Sequence, residues 1–384
     1  MGRSITDALL PLPRRVLKGR VWELLGGGAS VSRRLFTVGP VEVRDEVLEA
    51  MTKPMIVHRG EDYTRLQKGI VEKLHKVLDT DMRILMAPAS ASGFLESCVR
   101  CGVSKKMIGI SNGSFGERWQ AIGSANGKAV RKIDVSWGLA VKARDVEGKV
   151  DDDVEAVAIV SNESSTGVLN PLTDVIGAIR ARHDPLIFID GVTAVGGIDL
   201  DLKKLNIDAL VFGTQKAFAL PPGLAIICVS DRLLEKAKKV ESRGYYFDLL
   251  EIKKYADKNL PLTTPPVSLL YGLDFQLDRM IKEGMANRYR RHAEMAEVVR
   301  SWASKRFSLY AEEGYRSNTI TVIQKGNLDF GTMHAMLKQK GFEISAGYGK
   351  IKEQTFRIGH MGDLTVGDVK LLVRTIDEVL EEMK

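Results

Sequence analysis

The chain has 384 residues, 44% hydrophobic and 27% charged, ordinary values for a soluble globular protein and ample for two or three domains around a large core. Its net charge of +7 comes from bases interspersed with acids, as in 235–241 and 288–297, so no nucleic-acid partner is expected. No apolar run approaches the roughly 20 residues that span a bilayer, and three cysteines, Cys98, Cys101 and Cys228, make neither an even disulfide set nor a zinc pattern, which points to reduced cytoplasm and no metal.

Residues 1–34 are Arg-rich, broken by Pro11 and Pro13, and run through Gly26, Gly27 and Gly28. They read as an N-terminal extension, either a presequence or a flexible lead, and carry no assigned chemistry. Apolar residues then recur at helical spacing over 42–51 and 64–78, with a loop holding His58 and Arg59 between them. An apolar strand at 83–87 leads into Ser90, Ala91, Ser92 and Gly93. Small hydroxylated residues at a strand-to-helix junction leave backbone N–H groups free for an anion, although a plain serine cap explains them too. Cys98 and Cys101 fall in the helix that follows and read as buried helical thiols. Further strands at 107–111, 128–135 and 156–161, with helices between, predict an α/β fold with a mostly parallel sheet.

Two later strands carry the chemistry. Residues 185–190 are apolar until Asp190, and 209–212 are apolar until a Gly-Thr-Gln turn and Lys216. A lysine between apolar residues is costly to bury as an ammonium, so its pKa should fall and its amine become nucleophilic. The other reading is a strand-end lysine whose head reaches water. Ligands of open α/β sheets sit beyond the carboxyl ends of the strands, which places Asp190 and Lys216 at one crevice. An aldehyde held by a lysine, with an aspartate at its ring nitrogen, is the arrangement a pyridoxal phosphate enzyme requires. Beyond a strand at 226–230 the pattern changes to a charged helix about 236–240, a Pro- and Thr-rich loop at 255–266, and one long helical stretch at 267–305. Strands at 318–324, 342–346 and 355–359 complete a small domain. The C-terminal Glu-Glu-Met-Lys is not a peroxisomal address.

Three motifs in order, NESSTGVLNPL (162–172), IDGVTAVGG (189–197) and FGTQKAFALPPG (212–223), resemble the class V aminotransferases of fold type I. The resemblance runs from about residue 35 to the C-terminus and is nearest the alanine–glyoxylate and serine–pyruvate subgroup. It implies a mostly parallel seven-stranded sheet in a cofactor domain at 35–266, a smaller α+β domain at 267–384, and a homodimer with a shared active site. It implies pyridoxal 5′-phosphate, with Lys216 as the catalytic lysine bonded to it and Asp190 at the ring nitrogen. Phe115 would stack on the ring, Ser165 and Val192 would lie beside it, and Ser90, Ala91, Ser92 and Gln215 would hold the phosphate. Ala91 stands where the family has glycine, which restricts that loop. Gly39, Ser165 and Arg357 would contact the substrate. Arg357 lies in FRIGHMG (356–362), and a planar guanidinium grips a carboxylate bidentately. Thr264 would reach the partner's phosphate, while Pro261 replaces the tyrosine common three residues earlier. His360 reads as a structural neighbour.

The implied activity moves an amino group from alanine or serine to glyoxylate or pyruvate, with amino acids and 2-oxo acids as partners. A phosphonate or phosphoserine/aspartate-type transaminase is the alternative, and a non-catalytic protein that binds the cofactor is a further one. Cysteine desulfurase is set aside because no cysteine follows Cys228.

Overall fold

A computed structural model describes residues 34–384; the 1–33 part of the N-terminal extension lies outside the described residues. In chain order the strands are β1 (Arg34–Phe36), β2 (Arg83–Ala87), β3 (Lys106–Ser111), β4 (Ala129–Asp134), β5 (Ala156–Val160), β6 (Asn162–Glu163) and β7 (Val168–Leu169). They continue with β8 (Leu186–Asp190), β9 (Ala209–Gly213), β10 (Ala225–Val229), β11 (Ser308–Leu309), β12 (Ile320–Gln324), β13 (Phe342–Ala346) and β14 (Thr355–Gly359). Helices fill most of the intervals.

The large sheet has seven strands in the order β2-β10-β9-β8-β5-β3-β4. The run from β4 to β9 is parallel, and only β10 turns back, antiparallel to both β9 and β2. β5 (AVAIV), β8 (LIFID) and β9 (ALVFG) are buried at every residue, because helices cover both faces of a parallel sheet and leave no side for polar alternation. Asp190 is therefore the first polar side chain met at the end of β8, and Lys216 follows the end of β9. The small sheet has the order β1-β13-β14-β12-β11 and packs on the helices Met285–Ala303, Phe330–Gln339 and Val366–Glu382 through Met295, Val299, Leu337, Leu372 and Ile376. Arg357 sits on its central strand, β14.

Several boundaries differ from the sequence reading. The stretch at 267–305 is two helices, Val267–Glu283 and Met285–Ala303, broken at Gly284, whose φ of 80° ends the first helix. The charged helix is Asp231–Ala237 rather than 236–240, and Tyr255 belongs to the helix Leu249–Ala256. Residues 34–36 pair in parallel with β13, more than 300 residues later in the chain. Both Cys98 and Cys101 are buried free thiols, as is Cys228 on β10.

Candidate active site

The Lys216 loop is fixed mainly by its own backbone. Ala219 N–H donates to the Lys216 carbonyl at 2.8 Å, Leu220 N–H to the Thr214 carbonyl at 3.1 Å, and the Thr214 hydroxyl to the Pro221 carbonyl at 2.9 Å. The bend takes Ala219 to a φ of 53°, a conformation that a residue with a Cβ holds only when its surroundings demand it. Lys216 Nζ donates to the Val38 carbonyl. Next to it, Gly39 has a φ of 112°, and a Cβ there would lie 2.5 Å from Nζ, so only glycine leaves the amine room. Burial first, then the Arg357 and Arg118 charges, lower the Lys216 pKa to about 8 against the opposing pull of Asp190. The side chain is half-buried with its amine turned to a backbone carbonyl, surroundings that suit a nucleophilic amine.

Asp190 is 4% exposed, with Oδ1 accepting from Val192 N–H at 2.9 Å. Burial pushes its pKa up to about 6, partly offset by the Val192 N–H and by the charges of Arg118 and Lys216. Between Asp190 and Lys216 lies a cavity of about 140 Å³. Eight residues singled out from sequence line it: Ser90, Ala91, Ser92, Phe115, Asp190, Val192, Gln215 and Lys216.

These surroundings fit pyridoxal phosphate. Ser90 precedes the helix Ala91–Gly102 and its hydroxyl makes no capping bond, and the first turn carries no acid, so a phosphate meets free donors at a positive helix end. The buried Asp190 carboxyl is a counter-charge for a protonated ring nitrogen. Asn162 also faces the cavity. Its amide nitrogen donates to Thr193 and Thr319, while its buried Oδ1 has no partner among the described residues and can accept from a bound group.

Other expected residues stand elsewhere. Ser165 does not line the cavity; Ser164 does. The Ser165 hydroxyl donates to Glu163 Oε1 at 2.6 Å and accepts from Ser114 N–H at 3.0 Å, so it is committed to the protein. Glu163 is fully buried and also accepts from Phe115 N–H and Gly116 N–H, each at 3.0 Å, which ties the first turn of the Phe115 helix to this loop. Burial raises its pKa. Arg357 lies beside the cavity, 8% exposed, with Nε donating to Ala346 O at 2.9 Å and one terminal nitrogen to Ser164 O at 3.3 Å. It has no ion-pair partner among the described residues, and burial lowers its pKa to about 10. A buried guanidinium held by two carbonyls, with no acid beside it among the described residues, keeps a positive charge that a carboxylate can match. His360 is buried, with Nε2 2.9 Å from the Thr321 hydroxyl, and its pKa is lowered to about 3, mainly by burial. Thr264 does not reach the cavity of its own chain. It lines a separate groove with Met51, Met55, His58, Pro221 and Pro222, near Met55 and Val57, which are 65% and 74% exposed.

Six residues of the cavity lining were not singled out from sequence, Leu95, Arg118, Val160, Asn162, Ser164 and Thr193, and Arg118 is the charged one. Arg118 donates to Ser92 Oγ at 3.2 Å and its guanidinium lies 4.7 Å from the Phe115 ring centroid. Its signal was its position three residues after Phe115, on the same face of one helix.

The profile of the family described as aminotransferase class-V matches residues 113–358. The chain is 35% identical to an uncharacterized aminotransferase of Methanocaldococcus jannaschii, over 92% of this chain and 94% of that one. It is 32% identical to a serine–glyoxylate aminotransferase of Methylorubrum extorquens, over 86% of each. Among solved structures, an alanine–glyoxylate aminotransferase from Nostoc sp. superposes with a TM-score of 0.86 at 25% identity, over 91% of this chain and 95% of that one.

Proposed function

Because the chain belongs to the class V aminotransferases, whose cofactor is pyridoxal phosphate, we propose that it moves the amino group of a small amino acid, alanine or serine, to glyoxylate or pyruvate. The observation that carries this reading is a lysine with a lowered pKa and a buried aspartate on one cavity, beside an arginine that has no ion-pair partner among the described residues. When bound, the cofactor supplies an electron sink for the charge left on the substrate's α-carbon.

The chain's own residues do the rest. The Lys216 amine, its pKa lowered to about 8, would hold the cofactor at rest and, once displaced by the incoming amino acid, would be the base that moves the substrate's α-proton. The Asp190 carboxylate would hold a proton at the ring nitrogen. Phe115 and Val192, which both line the cavity, would face the ring. The Ser90–Ser92 turn and Gln215 would hold the phosphate, with Arg118 at Ser92 as an added positive charge. Arg357 would grip the α-carboxylate, and Gly39, whose missing Cβ leaves room for Nζ, would border the substrate. Ser165 acts through Glu163 and Ser114 by fixing the turn that carries Phe115.

An extra cation would suit a phosphonate substrate. However, Arg118 donates to Ser92, in the turn that would hold the cofactor's phosphate, which favours the carboxylate reading. The groove at Thr264 and the exposed Met55 and Val57 support a homodimer in which Thr264 serves the partner's site. Three buried free thiols support a cytoplasmic setting, and no helix of the described residues is long and apolar enough to cross a membrane. The domains are taken as 35–266 and 267–384, with β1 joining the second. Pairing alanine, serine, aspartate, phosphoserine and 2-aminoethylphosphonate with glyoxylate and pyruvate tests the reaction. Turnover should be greatest with alanine or serine, and a clear preference for another donor would overturn the assignment.

A further inference from the structure

Tyr348 has none of the roles above, yet it bridges two of them. Its ring stacks on Phe115 with centroids 5.6 Å apart and planes 11° from parallel, and it lies over the Arg357 guanidinium at 5.2 Å. The residue is 39% exposed, so its ring meets solvent as well as Phe115 and Arg357.

The connection that carries it, between β13 and β14, is pinned on both sides of the ring. Gly347 N–H donates to Thr355 O at 3.0 Å, which extends the β13–β14 ladder to the residue before Tyr348. Gly349 takes a φ of 59°, and a Cβ there would lie 2.8 Å from the Trp137 ring and closer still to the Ser114 hydroxyl. The backbone is therefore pressed against the N-terminus of the helix Ser114–Ala125, which also carries Phe115. Lys350 pairs with Glu117 of that helix and lies 5.3 Å over Trp137. Contacts from the large sheet's side thus hold a small-domain ring between the side chain proposed to stack on the cofactor and the one proposed to grip the substrate.

We infer that Tyr348 is a specificity-determining residue, an aromatic wall that admits methyl and hydroxymethyl substituents on the α-carbon and turns away branched or aromatic ones. The inference rests on Arg357 as the carboxylate arm. In an α-amino acid the carboxylate carbon and Cβ are two bonds apart, attached to the same carbon. A ring lying over the guanidinium that holds the carboxylate is therefore within reach of any longer side chain. Because the backbone is fixed at both neighbours, the Cα that carries the ring cannot shift without breaking the loop's hold on the helix.

The test uses the cofactor-loaded wild type with Tyr348→Ala and Tyr348→Phe, both checked by thermal melting. Calorimetry gives affinities for unreactive acids, propionate against 4-methylpentanoate and 3-phenylpropionate, and kinetics give kcat/KM for alanine against phenylalanine with glyoxylate. Tyr348→Ala should raise the bulky-to-small ratio about tenfold or more in both measurements, the scale by which a pocket wall discriminates side chains. Tyr348→Phe, which keeps the ring, should keep the wild-type ratios. A uniform loss for small and bulky acids in Tyr348→Ala would make the ring a mere support for Arg357 and overturn the inference. If the wild type bound acids but transferred no amino group, the proposed reaction would fail while the acid ratios still decided the role of Tyr348. Failure of the wild type to bind any of these acids would overturn both.

Discussion

A terminal nitrogen of Arg288 lies 2.5 Å from the carbonyl oxygen of Ala217, the residue next to Lys216. Arg288 is 1% exposed, and it also donates to Gly196 O at 3.0 Å and pairs with Glu283 and Asp363. A guanidinium from the second half of the broken helical stretch thus anchors the loop that aims the lysine. Replacing it with methionine leaves two carbonyls and the 8%-exposed Asp363 side chain poorly matched. We expect Arg288→Met to cost roughly 3–5 kcal/mol, the scale for breaking a buried pair on one side. Urea unfolding of the cofactor-free protein measures this, and a loss below about 1 kcal/mol would mean that the Thr214–Pro221 contacts alone hold the loop.

Asp190 gives a pH dependence with a definite sign. Its folded pKa is raised from 3.8 to about 6, so between these values the folded protein holds more protons than the unfolded chain. The stability it contributes is complete below its unfolded value and is lost as pH rises through about 6. The loss is about 3 kcal/mol at most, and Arg118 and Lys216, the cations facing it, set how much of that is seen. In Asp190→Asn this fall between pH 4 and 6 should vanish. Denaturation of cofactor-free wild type and variant across that range decides it, and parallel profiles would show that the carboxyl is not desolvated.

Arg357 should govern carboxylates and little else. Two of its nitrogens are spent on Ala346 O and Ser164 O, which fix the plane of the guanidinium and leave an edge for the substrate. Arg357→Ala should weaken productive use of amino and oxo acids by about 2–5 kcal/mol, with cofactor content almost unchanged. Arg357→Lys should not restore activity, because an ammonium lacks the planar fork. Unaltered kinetics with alanine in either variant would remove Arg357 from the substrate site.

The legible part of this molecule is where burial and sequence coincide. Fully buried parallel strands read as short apolar runs, so the polar residues that end them, Asp190 and Lys216, stand out at once, and the strand order then places both at one crevice. What depends on partners distant in sequence was not legible. The pairing of β1 with β13 needs two segments over 300 residues apart, and three residues carry too little pattern to announce it. Ser164 and Ser165 are adjacent and chemically alike; only the Glu163 carboxylate, by taking the Ser165 hydroxyl, turns that serine away from the cavity. Gly284 resembles any glycine tolerated in a helix until its positive φ is known. Tyr348 and Arg118 were hidden because their roles come from what lies opposite them.

The position of Thr264 leads to the last prediction. It lies outside the cavity of its own chain, on a groove bordered by Met55 and His58, and Pro265 and Pro266 stiffen the backbone that presents it. A stiff loop loses less entropy when it is ordered across an interface, and exposed Met55 and Val57 offer apolar area for a second copy to cover. If Thr264 serves the partner's phosphate, a dimer of Lys216→Ala and Thr264→Val protomers has one site with both lesions and one with neither. Mixing the two inactive or impaired variants under conditions that exchange subunits should therefore restore activity, up to about half a wild-type dimer's sites in each heterodimer. Mass spectrometry of differently tagged protomers verifies the exchange. Activity no higher than the average of the parents, despite exchange, would assign Thr264 to its own subunit or to no site at all. A protein that stays monomeric at assay concentration would remove the shared site altogether.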